Sequence, residues 1–302
     1  MQMTIEYIAA KTIVTRCKSP GAWFGIDYNM NIYKGCCHGC IYCDSRSECY
    51  RIENFDKVRA KADALRIIRD ELRRKTRTGV VGTGAMSDPY NPFEKGELLT
   101  RRALELVDAF NFGAAIATKS TLLERDIDVL QSIAEHSPVL LKITVTTADD
   151  ELCQKVEPNV AVSSKRFEMI KRLSDAGLFA GVLLMPVLPF LEDSKENVLE
   201  IVTRTAQAGG KFIYPAFGMT LRANQREYYL NKLDTIFREQ GLREKYDRQY
   251  GFAYECRSPR AKKLWDVFAE ACEKEGIRYK MQDIIHGYKD RYRTSQMSLF
   301  DL

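Results

Sequence analysis

Tyr33 to Asp44 read YKGCCHGCIYCD, which places four cysteines within eight positions of a chain that has nine cysteines in 302 residues. Crowded thiols arise from disulfide frameworks, metal sites or catalysis, and the compartment decides among them. The opening stretch MQMTIEYIAAKTIVTRC carries Glu6, Lys11 and Arg16 through what would have to be the apolar core of an export signal, so no secretion is implied. A membrane span needs about 18 uncharged apolar residues. The longest such run, AGLFAGVLLMPVLPFL, is shorter and holds two prolines. The expectation is a soluble, cytoplasmic protein with no membrane partner. In a reducing compartment an odd number of cysteines points to a metal or to chemistry.

Cys36, Cys40 and Cys43 form C-x3-C-x2-C, neither the paired C-x2-C of zinc ribbons nor a zinc finger with distant histidines. The three histidines of the chain are His38, His136 and His286. A structural zinc would need Cys37, His38 or Cys49 as its fourth ligand. Three thiolates on a four-iron cluster would instead leave one iron without a protein ligand, open to a substrate or cofactor.

Outward from this loop, short apolar runs alternate with amphipathic segments. MNIY (30–33), TGVVGTGA (78–85), FGAAIAT (112–118), VLLKITVTT (139–147), FAGVLLMPV (179–187) and KFIYPAF (211–217) read as buried strands. Residues 56–74, 98–110, 124–135, 163–176 and 194–208 read as helices between them. Strand and helix in alternation mean a parallel sheet with crossover helices. After residue 218 the pattern turns helical, with two amphipathic segments that each end at glycine, Gly241 and Gly276.

With these residues in view, the chain resembles the radical S-adenosylmethionine (radical SAM) enzymes, whose C-x3-C-x-aromatic-C is met by Cys36, Cys40, Tyr42 and Cys43. The resemblance implies an α/β fold, a partial (β/α)6 barrel of TIM type, with the cysteine loop (34–46) at the C-terminal mouth of the strands, where barrel active sites lie. It implies a [4Fe-4S] cluster on Cys36, Cys40 and Cys43 and S-adenosyl-L-methionine on the open iron. An electron donor such as flavodoxin or ferredoxin would feed the cluster. Reductive cleavage would give a 5′-deoxyadenosyl radical that abstracts hydrogen from a substrate. The barrel would occupy residues 1–220 and a helical extension residues 221–293, followed by a tail, 294–302.

Within that superfamily the chain is similar to the spore photoproduct lyase-like, DNA repair photolyase-related branch, through YKGCCHGCIYC, SDPYNPFE, TKS, VTT, VEP followed by Lys165-Arg166, and AGLFAGVLLMPVLP. Each landmark lies where a strand would deliver residues to the mouth. The resemblance therefore implies cofactor contacts from Ser87, Asp88, Lys119, Thr144 or Thr146, and Arg166. Two departures stand beside these matches. The lyase returns a hydrogen from a cysteine two residues before the serine of its strand-two motif, where this chain has Ala85. It also has a tyrosine directly after its last cluster cysteine, where this chain has Asp44 while keeping Tyr42. Tyr42, Cys256 and Tyr254 are the candidates for radical relay or hydrogen return. Cys37 and Cys49 fall outside the ligand spacing, His38 would order the loop, and Cys17, Cys153 and Cys272 read as small core residues.

The net charge of +5 resides in Arg222 to Arg293, which holds 17 basic against 12 acidic residues and 12 of the 31 aromatics. Basic charge interleaved with aromatics suits a nucleic-acid strand, and a charged helical surface over a tyrosine-rich core gives the same composition. The tail, Gln296-Met297-Ser298-Leu299-Phe300, is similar to the bacterial sliding-clamp-binding pentapeptide, a short segment that orders on docking its apolar residues into a pocket. Two function classes follow: a radical enzyme acting on DNA, on a lesion or modified base, and one acting on a protein or small molecule. A noncatalytic iron-sulfur or zinc protein is the more distant third.

Overall fold

Six short, almost wholly buried runs become parallel strands, and their order in space is their order in the chain. The computed structural model describes residues 5–292. Its main sheet contains β1 (Tyr28–Met30), β2 (Val80–Thr83), β3 (Gly113–Thr118), β4 (Val139–Thr144), β5 (Ala180–Leu184) and β6 (Ile213–Pro215), each hydrogen-bonded to the next and all parallel. Crossovers run through α1 (Ala64–Arg73), α2 (Leu99–Ala109), α3 (Ile127–His136), α4 (Ser163–Asp175) and α5 (Lys195–Gln207). This is a partial (β/α)6 barrel, as the resemblance implies. Strands buried on both faces need no polar alternation, which is why they read as continuous apolar runs.

The outer face of the sheet, Val81, Ile116, Leu141, Ile143 and Val182, packs on one stripe of each helix, among them Ile68, Leu104, Ile133, Ile170 and Ile201. The inner face, Val80, Ala115, Leu140, Leu183 and Phe212, closes on Phe24 and on Ile284, Ile285 and Tyr288 of a last helix, Met281–Lys289. Burial of each such aliphatic side chain contributes roughly 1.5–3 kcal/mol. The lower end of the barrel is thus plugged, with the Tyr288 hydroxyl donating to the Phe24 carbonyl at 2.6 Å, and the chemistry is confined to the upper end.

Two local differences from the sequence reading have a common cause. The first barrel strand is Tyr28–Met30 rather than 30–33, and residues 59–61, expected as helix, are extended. Tyr33–Lys34 leaves the barrel to pair with Arg59–Lys61, which also pairs with Glu6–Ile8, in a separate three-stranded sheet. A further antiparallel strand, Val14–Arg16, borders β1. Pairing with distant partners overrides the helical periodicity of the segment.

Beyond β6 the chain makes a two-stranded antiparallel ladder, Gly218–Thr220 with Glu255–Arg257. Between those strands lie α6 (Ala223–Ile236) and α7 (Leu242–Tyr250), and after them α8 (Ala261–Lys274). Leu264, Phe268 and Cys272 of α8 join the outer barrel core. Tyr229, Leu230 and Leu233 of α6 and Tyr246 of α7 pack with Ile41 and Tyr42 of the cysteine loop. Among the described residues no helix is long and apolar enough to cross a membrane.

Candidate active site

The cysteine loop has no regular structure of its own between Lys34 and Asp44, and its backbone is held by neighbours on several sides. Cys36 N donates to Phe55 O at 2.8 Å, Ile41 N to Val156 O at 3.0 Å, and Asn159 N to His38 O at 3.2 Å. Side chains complete the clamp, with Asn159 Nδ2 donating to Cys37 O at 3.0 Å and Gln225 Nε2 to Tyr42 O at 3.2 Å. Gly35 makes the entry turn at φ +81°, and a Cβ there would stand 2.4 Å from Lys57 O, so only glycine fits.

Cys36, Cys40 and Cys43 line one small pocket together with Ser87, Lys119 and Thr144. None of the cysteines is disulfide-bonded. Among the described residues no three His, Cys, Asp or Glu side chains are close enough to share a single metal ion. Burial pushes the Cys36 thiol up to about 12, so cluster assembly has to release protons here.

The ends of β2 and β3 supply the opposite wall. Gly84, at φ +93°, lets the chain pass so close to β3 that a Cβ would overlap Ala117 O. Asp88 then brackets the two strand ends, accepting from Thr118 Oγ1 at 2.7 Å and Tyr90 N at 2.9 Å through Oδ1, and from Lys119 N at 2.8 Å through Oδ2. His38 Nδ1 lies 3.5 Å from the same carboxylate. Burial depresses the His38 pKa against the pull of Asp88. Both oxygens of Asp88 are committed to protein donors. The Ser87 hydroxyl is the opposite case, buried and with no hydrogen-bond partner, an unmet donor beside the three thiols. The Lys119 ammonium stands 5.6 Å from the Tyr42 ring centroid. Burial opposes its charge, but Cys40 and Glu157 outweigh burial and hold it protonated.

Thr144 and Thr146 part company. Thr144 faces the cysteine pocket, whereas Thr146 Oγ1 donates to Glu192 Oε1 at 2.7 Å. Glu192 is fully buried, and burial pushes its carboxyl up to about 8 despite the bonds from Leu188 N and Thr146. Arg166 is also fully buried, and its guanidinium is taken up by protein: Glu157 Oε2 at 2.6 Å, Thr144 O at 2.8 Å and Ala161 O at 2.7 Å. Glu157 in turn accepts from the Tyr42 hydroxyl. The VEP motif by itself assigns Glu157 no task; only the fold brings it to Tyr42.

The cysteine pocket opens into a larger cleft of about 550 Å³ that shares Tyr42, Cys43, Ala85 and Lys119 with it. The other walls are apolar Met185, Pro186 and Phe217, and Thr220, Glu255 and Arg257 of the two-stranded ladder. This volume lies in the usual range for small-molecule sites. Cys256 is buried, and it belongs to the aromatic cluster of the extension rather than to the cleft wall. Tyr254 is 45% exposed and accepts from Arg222.

Beside the cleft, arginines lie on aromatic faces. The Arg46 guanidinium sits 3.9 Å from the Tyr228 centroid and 5.0 Å from that of Phe55. That of Arg222 lies 4.6 Å from Tyr254 and 5.6 Å from Tyr50, with Nε 3.1 Å from Asp44. Tyr229 and Tyr246 are buried, as a tyrosine-rich core requires, whereas Phe252, Tyr254 and Trp265 are exposed.

Comparison with known proteins decides the family. The sequence pattern of the Radical SAM superfamily matches residues 30–202. The chain belongs to the radical SAM superfamily. An uncharacterised protein of Mycobacterium tuberculosis is 31% identical over 235 residues, covering 76% of this chain and 68% of the relative. One of Methanocaldococcus jannaschii is 28% identical over 232 residues, covering 76% and 84%. Among solved structures, spore photoproduct lyase complexed with dinucleoside spore photoproduct superimposes with a TM-score of 0.64 at 14% identity, over 90% of this chain and 80% of that one. A variant of the lyase with bound AdoMet and the dinucleoside gives 0.63 at 14% identity, over 88% and 79%. At that identity the likeness is one of fold. This radical SAM protein is an enzyme whose cofactors are a [4Fe-4S] cluster and S-adenosylmethionine, and its three-thiol pocket, unmet Ser87 hydroxyl and buried ammonium fit them.

Proposed function

We propose that this radical SAM enzyme acts on nucleic acid, taking a hydrogen atom from a damaged or modified base. When bound, the cluster supplies the electron that splits S-adenosylmethionine into methionine and a 5′-deoxyadenosyl radical, which abstracts hydrogen from the substrate. The chain's own part is placement and exclusion of water. Cys36, Cys40 and Cys43 would hold the cluster; Lys119 and Ser87, with a charge and an unused hydroxyl directed to the same pocket, would hold the methionyl end. Tyr42 and the apolar wall of Met185, Pro186 and Phe217 would shield the reacting carbon.

The observation that carries the substrate reading is the position of Arg46 and Arg222, stacked on tyrosines where the cysteine loop meets the extension. Arg46 also pairs with Asp56 and Arg222 with Asp44, so a phosphate backbone would take these cations in exchange for carboxylates, and a base would have to leave its stack to enter the cleft. Ala85 lines the cleft, and by the motif resemblance it takes the sequence position of the lyase's hydrogen-returning cysteine, so the reaction would differ from spore-lesion repair in how the product radical is quenched. The apolar walls of the cleft equally suit a small molecule, which is the second reading. The sliding-clamp peptide, Gln296 to Phe300, lies outside the described residues. As a proposal it would bring the enzyme to DNA, with flavodoxin or ferredoxin as electron donor.

Anaerobic turnover with deuterated, lesion-bearing oligonucleotides tests this reading. Deuterium in 5′-deoxyadenosine is the expected result, together with loss of oligonucleotide binding at raised salt and on Arg46→Glu. Cleavage of S-adenosylmethionine that no oligonucleotide stimulates, with no salt-dependent binding, would transfer the assignment to the second reading.

A further inference from the structure

Beneath the cysteine pocket lies an ion pair to which the chemistry above assigns nothing. Glu157 and Arg166 meet at 2.6 Å with side chains 1% and 0% exposed. The Tyr42 hydroxyl donates to the other oxygen of Glu157, and Tyr42 stands in the chain directly before Cys43. The residues on either side of Glu157 grip the same loop. Val156 O takes Ile41 N, and Asn159 binds the carbonyls of both His38 and Cys37. One short stretch, 156–159, therefore holds the cluster loop from below, with a charged carboxylate at its centre. Cys153 adds a weaker contact, its Sγ 3.7 Å from Glu157 Oε2.

A buried ion pair is a poor stabiliser, since desolvation of both charges offsets most of their attraction and an apolar pair of the same volume does as well or better. Its effects are geometry and field. Arg166 ties the carboxylate to the end of β4 through Thr144 O, so Glu157 cannot swing away from Tyr42. A negative charge fixed beneath the pocket, offset only in part by Arg166, makes the arrival of an electron less favourable, and a radical SAM cluster has to be a strong reductant.

We infer that Glu157 is a positioning residue of the radical chemistry, fixing Tyr42 and the cluster loop and holding the reduction potential of the cluster low through its charge. The inference rests on the reading of Cys36, Cys40 and Cys43 as cluster ligands. Arg166 keeps the charge in place, and removal of the charge at constant shape makes the cluster easier to reduce and a weaker reductant.

The test uses the full chain, reconstituted anaerobically with iron and sulfide, as wild type, Glu157→Gln, Glu157→Asp and Glu192→Gln. Iron per chain and the midpoint potential are read by redox titration with electron paramagnetic resonance. Glu157→Gln should raise the reduced-to-oxidised ratio at the wild-type midpoint about tenfold, which for one electron is 59 mV. Glu157→Asp keeps the charge and should keep the midpoint, and Glu192→Gln, which replaces a carboxyl that burial keeps neutral below about pH 8, should not move it. Iron retained by Glu157→Asp and lost from Glu157→Gln also supports the inference, because charge is the main difference between them. Equal midpoints at full iron content overturn it, as does loss of the folded circular-dichroism spectrum in both Glu157 variants. A wild type that takes up no iron instead refutes the cluster reading itself.

Discussion

Cys256 stands directly opposite Met219 in the antiparallel ladder, and both pack in the aromatic cluster formed by Tyr229 and Tyr246, Met219 at the cleft wall and Cys256 off it. The hydroxyl of Tyr246 lies 3.6 Å from Met219 Sδ, so the space on that side is filled. Directly opposed residues share a face, and their neighbours Thr220, Glu255 and Arg257 therefore have the face toward the cleft. Cys256→Ala is expected to leave reductive cleavage of S-adenosylmethionine at the wild-type rate and to lower stability by about 1 kcal/mol. Anaerobic product analysis and urea unfolding check the two halves separately. A variant that cleaves the cofactor but accumulates an unquenched substrate radical would return Cys256 to the reaction.

Ser87 and Lys119 should behave oppositely with and without cofactor. The Ser87 hydroxyl is buried without a partner, and an unmet polar group of this kind costs about 1–3 kcal/mol. Ser87→Ala is therefore expected to stabilise the cofactor-free protein and to weaken S-adenosylmethionine binding, a crossing visible by thermal unfolding with and without the ligand. Lys119→Met should lose a charge-assisted contact of about 1.5–3 kcal/mol, tenfold or more in dissociation constant, measured by equilibrium dialysis on the reconstituted enzyme.

The cysteine spacing and the apolar runs made the barrel and the three-thiol pocket legible, because both depend on residues near one another in sequence. The strands at 80–83, 113–118, 139–144 and 180–184 sit inside the runs TGVVGTGA, FGAAIAT, VLLKITVTT and FAGVLLMPV. Residues 59–61 did not announce themselves, since their strand partners are distant. The same distance hid Glu157 and Glu192. A glutamate followed by proline, or one in LEDS, reads as a turn residue, and only the packing of 156–159 against the cysteine loop, and of Thr146 against Glu192, buries them. Asp88 and Arg166, whose positions in the motifs imply cofactor contacts, engage Thr118, Lys119, Glu157 and Thr144 through their polar atoms, partners that only the fold makes visible.

Glu192 gives the protein a pH dependence of definite sign. Burial pushes its carboxyl up to about 8 from an ordinary 4.5, so between those values the folded chain holds a proton that the unfolded chain releases. Stability contributed by this group falls as pH rises through that window, by roughly 1.4 kcal/mol per pH unit at most. Urea midpoints of wild type should decline from pH 5 to pH 8, and Glu192→Gln should flatten the decline by removing the titrating proton. A slope unchanged by the substitution would place the titration elsewhere.

Lys142 makes the complementary case inside the barrel. It lies at the centre of β4, beside Ala117 and Gly181 in register, and is 4% exposed. No carboxylate lies within 4 Å of its ammonium among the described residues; the contact it makes is with the Phe24 ring, 4.9 Å to the centroid. Burial alone lowers its pKa to about 8 from 10.5. Below pH 8 the folded chain bears the desolvation cost of an ammonium with no carboxylate beside it, offset in part by about 1–2 kcal/mol of cation–π attraction. Between pH 8 and 10.5 the folded chain holds fewer protons than the unfolded one, so stability from this group rises with pH. Lys142→Met, of similar length and apolar, should therefore stabilise the protein at pH 7, and the gain over wild type should shrink as pH approaches 10. Urea unfolding of both proteins at pH 7 and pH 9.5 measures the difference. Should Lys142→Met destabilise at both values, the ammonium has a polar partner in solution, and the barrel interior is wetter than its apolar lining implies.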